Sequence, residues 1–109
     1  MRKIENTLEF EEAIQKGKIV IADFYADWCG PCQVQLPILE DLSKDLGGRV
    51  DIIKINVDQQ QELAQRFGVR SIPTLVFFKN QNTVETSVGL LSKVELQKRI
   101  SALEMVNTQ

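Results

Sequence analysis

Residues 18–32 read KIVIADFYADWCGPC, and both fold and chemistry turn on how that stretch divides. Lys18 to Tyr25 is a near-unbroken apolar run, the pattern of a strand buried on both faces. From Gly30 the pattern changes. GPCQVQLPILEDLSKDLGG places Leu39, Leu42 and Leu46 at helical spacing, and Gly47-Gly48 ends the run. A buried strand therefore passes through a tight turn into a helix. Cys29 falls where the helix begins and Cys32 one turn inside it.

The rest of the chain extends this alternation. Asn6 to Lys16 reads as a helix, with Asn6 and Glu9 at capping-box spacing and Gly17 as its stop. Pro37 falls inside the second helix, where it removes a hydrogen bond and is expected to kink it. Val50 to Val57 is a β-branched strand, and Asp58 with Gln61 suggests a capping box for a short helix ending at Phe67-Gly68. Thr74–Lys79 and about Thr83–Val88 read as strands joined by a tight turn. Asn80-Gln81-Asn82 supplies that turn without the usual Asn-Gly pair. Ser92 and Glu95 cap a last helix, with Leu96, Ile100 and Leu103 on one face. Adding a short strand near Arg2–Ile4, the order is β-α-β-α-β-α-β-β-α. This predicts an α/β fold: a mostly parallel mixed sheet with an antiparallel hairpin at one side and helices on both faces.

At 109 residues with 43% hydrophobic content, residues 1–109 are expected to form one domain that builds its core unaided, with 106–109 frayed. Thirteen Lys and Arg against 15 Asp and Glu form no basic stripe, which argues against nucleic-acid binding. No run approaches the roughly 18 apolar residues of a membrane span. MRKIENTLEFEEAIQKGK turns acidic where a signal peptide needs an apolar core, so a soluble, cytoplasmic protein is expected. There is no histidine, which removes Cys-His and Ser-His nucleophile pairs and the commonest metal ligand.

Two cysteines separated by Gly30-Pro31 admit three uses. A Cys29–Cys32 staple would close so short a loop that it is worth roughly 2 kcal/mol, against about 3 for fifteen residues. Structural zinc requires about four Cys or His ligands, so a site here would have to be shared between chains. The third use is dithiol–disulfide exchange. The free N–H groups and positive dipole end of the helix favour a thiolate at Cys29, the nucleophilic form. Cys32 is shielded and close enough to attack a mixed disulfide formed at Cys29.

Ala22-Asp-Phe-Tyr-Ala-Asp-Trp-Cys-Gly-Pro-Cys32 closely resembles the active-site segment of thioredoxins. The likeness continues in Pro37, Lys54-Ile-Asn-Val-Asp58, Val69-Arg-Ser-Ile-Pro-Thr74 and Val88-Gly89, and so covers almost the whole chain. Taken alone, Asp23 is either a satisfied or protonated buried carboxylate or a strand-end residue facing solvent. The resemblance implies proton transfer to and from Cys32, with Lys54, otherwise an ordinary strand lysine, near that carboxylate. Pro73 could simply start a strand. The resemblance implies a cis Ile72-Pro73 bond facing the cysteines, with Ile72 pairing to an extended substrate. Trp28 could be core, and the resemblance puts it with Gly89 on the partner-binding surface. Gly30 lets another chain approach Cys29, and Pro31 stiffens the first helical turn. Tyr25 and Gln33 stand where bacterial thioredoxins often have tryptophan and lysine.

The resemblance implies a protein-disulfide reductase whose redox-active pair is Cys29–Cys32. Disulfide-containing proteins would be its targets. Recycling would run through thioredoxin reductase and so, indirectly, NADPH. No GxGxxG motif is present, so the chain is expected to bind no nicotinamide or flavin itself, nor any metal. It is expected to be a monomer. Two rivals remain: a disulfide oxidant or isomerase of the same chemistry, and a binding module that uses the surface without turnover.

Overall fold

A computed structural model describes residues 1–16 and 18–105. The expected stop at Gly17 and the expected fraying of 106–109 lie outside the described residues. The element order is β1 (Arg2–Lys3), α1 (Thr7–Ile14), β2 (Ile19–Tyr25), α2 (Gly30–Leu46), β3 (Val50–Asn56), α3 (Gln61–Arg66), β4 (Thr74–Lys79), β5 (Asn82–Val88) and α4 (Lys93–Met105). The sheet runs β1-β3-β2-β4-β5. β1 and β2 pair parallel to β3, while β4 is antiparallel to both β2 and β5. The mixed sheet and its terminal hairpin are as the sequence pattern predicts.

Strand β2 lies at the centre, and every one of its residues is buried. Alternation then divides its side chains between two cores. Ile19 and Ile21 pack with Leu39, Leu42 and Leu46 of α2 and with Leu96 and Ile100 of α4. Val20, Ala22 and Phe24 face the other way, toward Phe10 and Ile14 of α1 and Leu63 of α3. There Phe10, Phe67 and Phe78 meet edge to face, with centroids 5.4 to 5.7 Å apart, the arrangement that aromatic quadrupoles favour. Asp23 has odd parity with Ile19 and Ile21, so it belongs to the face covered by α2.

Local signals explain the element ends. Asn6 Oδ1 accepts the Glu9 N–H at 2.9 Å, and Glu9 Oε1 accepts from Glu5 N–H rather than from the cap itself. Ser92 and Glu95 form the full reciprocal box, each bond 3.1 Å. Gly47 closes α2 in the left-handed conformation, φ 55°, which a residue without Cβ adopts freely. α2 continues through Pro37 to Leu46.

One expected cap is not formed. α3 starts after Gln60, which makes no side-chain cap bond, and Asp58 does not cap the helix. Instead Asn56 Oδ1 accepts the N–H groups of Asp58 and Gln59, turning the chain before the helix begins and freeing the Asp58 carboxylate. The hairpin also differs in detail. Asn82 already pairs with Lys79, so the turn is only Asn80 and Gln81, with φ of 51° and 72°. Those are the signs a tight I′ hairpin requires, reached here without glycine. A bulge between Phe77 and Phe78 shifts the register of β4 on β5.

Candidate active site

The site forms where β2 gives way to α2. Cys29 N–H donates to Ala26 O at 3.2 Å, closing a turn, and Cys29 itself is the N-cap of α2. Its Sγ accepts the Cys32 N–H at 3.2 Å. The sulfur thus takes the place of the oxygen that usually satisfies a helix's first N–H groups. Gly30 and Pro31 form the first turn, both exposed, where a missing proline N–H breaks no intrahelical bond. Cys29 and Cys32 are joined by a disulfide, with Cα atoms 5.2 Å apart. The pair is asymmetric: Cys29 keeps 4% of its surface exposed and Cys32 none.

Across from Cys29 the Ile72-Pro73 peptide is cis, and the Ile72 carbonyl oxygen lies 3.7 Å from Cys29 Sγ. The Thr74 hydroxyl donates to Ser71 O inside that loop. Gly89 N–H donates to Pro73 O at 2.8 Å, attaching the end of β5 to the same loop. Gly89 has φ 98°, a backbone that a side chain would strain. Ile72 is half-buried and packs on the cysteine cluster with Tyr25 and Ala26.

Trp28 is not core: the residue is 72% exposed, and its Nε1–H donates to Asp58 Oδ2 at 2.8 Å. Val34, Val88 and Leu90 are also exposed. Trp28 lies beside Cys29 in the chain, and Val88 and Leu90 flank Gly89. Gln33 turns its Nε2–H to Asp27 O at 3.2 Å.

Asp23 is fully buried on the α2 face, and neither carboxylate oxygen has a hydrogen-bond partner. Burial pushes its carboxyl up to about 7, opposed by the positive charge of Lys54. Lys54 is its register partner on β3 and lies with its Nζ 5.8 Å from the Tyr25 ring centroid. Of the two readings of Asp23 that the residues left open, burial excludes the solvent-facing strand end. Among the described residues no group of three or more His, Cys, Asp or Glu side chains could hold a metal, and no helix is long and apolar enough to cross a membrane.

Two contributors escaped the sequence reading. Asp58 holds Trp28, having been read as a helix cap. Gln35 is fully buried on the stripe Cys32, Gln35, Leu39, Leu42, Leu46, and its amide bonds Leu91 in both directions. A polar residue at a core position of that stripe was the available signal, since buried amides need partners.

The thioredoxin family model matches residues 2–102. A thioredoxin of Bacillus subtilis is 48% identical over 83 residues, 76% of this chain and 80% of the relative. One from Haemophilus influenzae is 43% identical over 97 residues, covering 88% and 91% of the two chains. Among solved structures, a mutant thioredoxin from Halobacterium salinarum superposes with a TM-score of 0.89 at 36% identity, over 98% of this chain and 93% of that one.

Proposed function

The chain belongs to the thioredoxin family and is a thiol–disulfide oxidoreductase, and from that premise we propose that Cys29 attacks and Cys32 resolves. The observation that carries this order is the asymmetry of the pair: Cys29, at the helix N-terminus, keeps 4% of its surface exposed, while Cys32 keeps none. In the dithiol form the Cys29 thiolate attacks one sulfur of a target disulfide. A mixed disulfide forms and the other target sulfur leaves as a thiolate, which takes up a proton. Cys32, deprotonated by Asp23, then attacks Cys29 Sγ. The second target sulfur leaves, the target gains two electrons, and Cys29–Cys32 becomes the disulfide.

Burial of Asp23 supports its role, because a carboxyl titrating near neutrality can both take and return a proton at cellular pH. Lys54 holds that carboxyl down from a still higher value. Trp28, Ile72, Pro73 and Gly89 form the docking surface. Ile72 offers its backbone to an extended partner segment, and Gly30 and Pro31 keep the approach to Cys29 open and stiff. The protein acts in the cytoplasm as a monomer that reduces general disulfide-containing proteins and contributes to electron transport and redox balance. It is recycled by thioredoxin reductase, which draws on NADPH, and binds no cofactor itself.

Insulin reduction driven by dithiothreitol tests the chemistry, and NADPH consumption with the cognate reductase tests the recycling. Precipitation of insulin chains that persists undiminished in Cys29→Ser would sink the proposal. A potential well above the cytosolic glutathione poise would instead favour disulfide formation.

A further inference from the structure

Gln35 lies three residues beyond Cys32, fully buried among leucines. Its Nε2–H donates to Leu91 O at 3.1 Å, and its Oε1 accepts Leu91 N–H at 2.8 Å. The amide can satisfy Leu91 in one orientation only, because the reverse would oppose two donors and two acceptors. A side-chain amide thus reproduces the two-bond exchange of paired strands at a place where no strand pairs.

What Leu91 is attached to gives this clamp its meaning. Two residues earlier, Gly89 N–H bonds Pro73 O, and the adjoining Ile72 O lies 3.7 Å from Cys29 Sγ. Cys29 caps the helix that carries Gln35. A circuit therefore closes from Cys29 through Ile72-Pro73, Gly89 and Leu91 to Gln35, and back along α2. The start of α4 is held separately, by Lys93 to Asp41 and Asp45 of α2 at 2.8 and 2.7 Å. Loss of the amide would loosen the 89–91 loop, leaving it the Gly89–Pro73 bond and the buried Leu91 side chain, without releasing α4.

We propose that Gln35 is a positioning residue that holds the 89–91 loop against the active-site helix, and with it the Gly89–Pro73 attachment that keeps Ile72 beside Cys29 for an extended protein segment. The inference rests on the reading of Trp28, Ile72 and Gly89 as the docking surface. Its chemical consequence is selectivity. A protein disulfide, which needs the whole docking surface, depends on Gln35 more than a small aromatic disulfide, which needs only the sulfur.

The test is Gln35→Met, an unbranched side chain of similar length that keeps the packing and removes both bonds. With insulin as substrate and the cognate reductase recycling the protein, KM should rise about five-fold with kcat within about two-fold, the pattern of lost binding. The small aromatic disulfide should lose clearly less, and the Leu91 amide should exchange with solvent about ten-fold faster or more. Ile14→Val, which lightens the core on the opposite face of the sheet from Leu91, measures how much follows from stability alone. Equal losses on both substrates, or losses matched by Ile14→Val, overturn the inference. Trp28→Ala separates the two readings. If it raises KM for insulin and Gln35→Met does not, the Gln35 inference alone fails. If neither raises it, the docking surface fails with it.

Discussion

Asp23 and Lys54 face each other in register across β2 and β3, yet the carboxyl titrates near 7 because desolvation outweighs the lysine's attraction. Both side chains lie on the sheet face that α2 covers. Asp23 has no hydrogen bond to stabilise its charged form, and the opposed charge recovers only part of what burial takes away.

This sets a pH dependence with a definite sign. Below its ordinary value of 3.8, Asp23 is protonated whether the chain is folded or not, and it costs nothing. As pH rises toward about 7 the unfolded chain gives up that proton first, so folded stability falls. Above about 7 the full penalty, roughly 4 kcal/mol, is in place. Urea unfolding of the disulfide form, in which the cysteines do not titrate, should show Asp23→Asn gaining about 2–3 kcal/mol relative to the parent between pH 5 and 8. Parallel stability profiles for the two proteins would refute the assignment.

The same substitution should slow the second half of the reaction. Without a carboxylate to take the Cys32 proton, the mixed disulfide should persist, with release slowed about ten- to a hundred-fold near neutral pH. Rapid quenching and mass spectrometry of the insulin adduct would follow it. Release at the parent rate would remove Asp23 from the proton path.

Cys32→Ser should leave attack intact and stop resolution. Incubated with a disulfide-bonded protein, this variant should accumulate a stoichiometric adduct that dithiothreitol dissolves, while Cys29→Ser accumulates none. Adducts of equal yield from both variants would mean that the two thiols are not ordered as their burial indicates.

Trp28 is the only tryptophan, so its fluorescence reports one place. Asp58→Ala removes the acceptor of its indole N–H. Stability should change by under about 1 kcal/mol, since the ring is already in water. The emission should nevertheless shift and KM for insulin rise about two- to five-fold as the ring loses its fixed orientation. An unchanged spectrum would show that the bond does not hold in solution.

Gln81 sits at φ 72° in the hairpin turn, a conformation that costs a residue with Cβ about 1 kcal/mol. Gln81→Gly should therefore stabilise the protein by about 0.5 kcal/mol after glycine's greater chain entropy is subtracted. A lowered urea midpoint would contradict this reading of the turn.

What the sequence disclosed follows the range of the interactions involved. The all-apolar run of β2, the cysteines at the joint with α2, and the caps at Asn6 and Ser92 depend on neighbours within a turn or a strand. They were legible. The cis Ile72-Pro73 peptide and the burial of Asp23 were suggested only by likeness to a family, because residues alone left two readings of each. Asp58 was misread because its spacing to Gln61 fits a cap equally well, and only the competing Asn56 side chain decides otherwise. Gln35 passed unnoticed because its partner, Leu91, is 56 residues away in the chain.

Both margins of the sheet are poor places for a stranger to settle. On one side β1 is only two residues long, and on the other β5 is bent by the bulge opposite Phe77 and Phe78. Long, flat margins recruit other chains into aggregates. A catalyst that must let one polypeptide after another lie along its backbone is exposed to that hazard at every turnover. On the docking proposed for Ile72, the invitation would be confined to the few atoms around that residue, too short a landing to retain a visitor once the sulfur bond is cut.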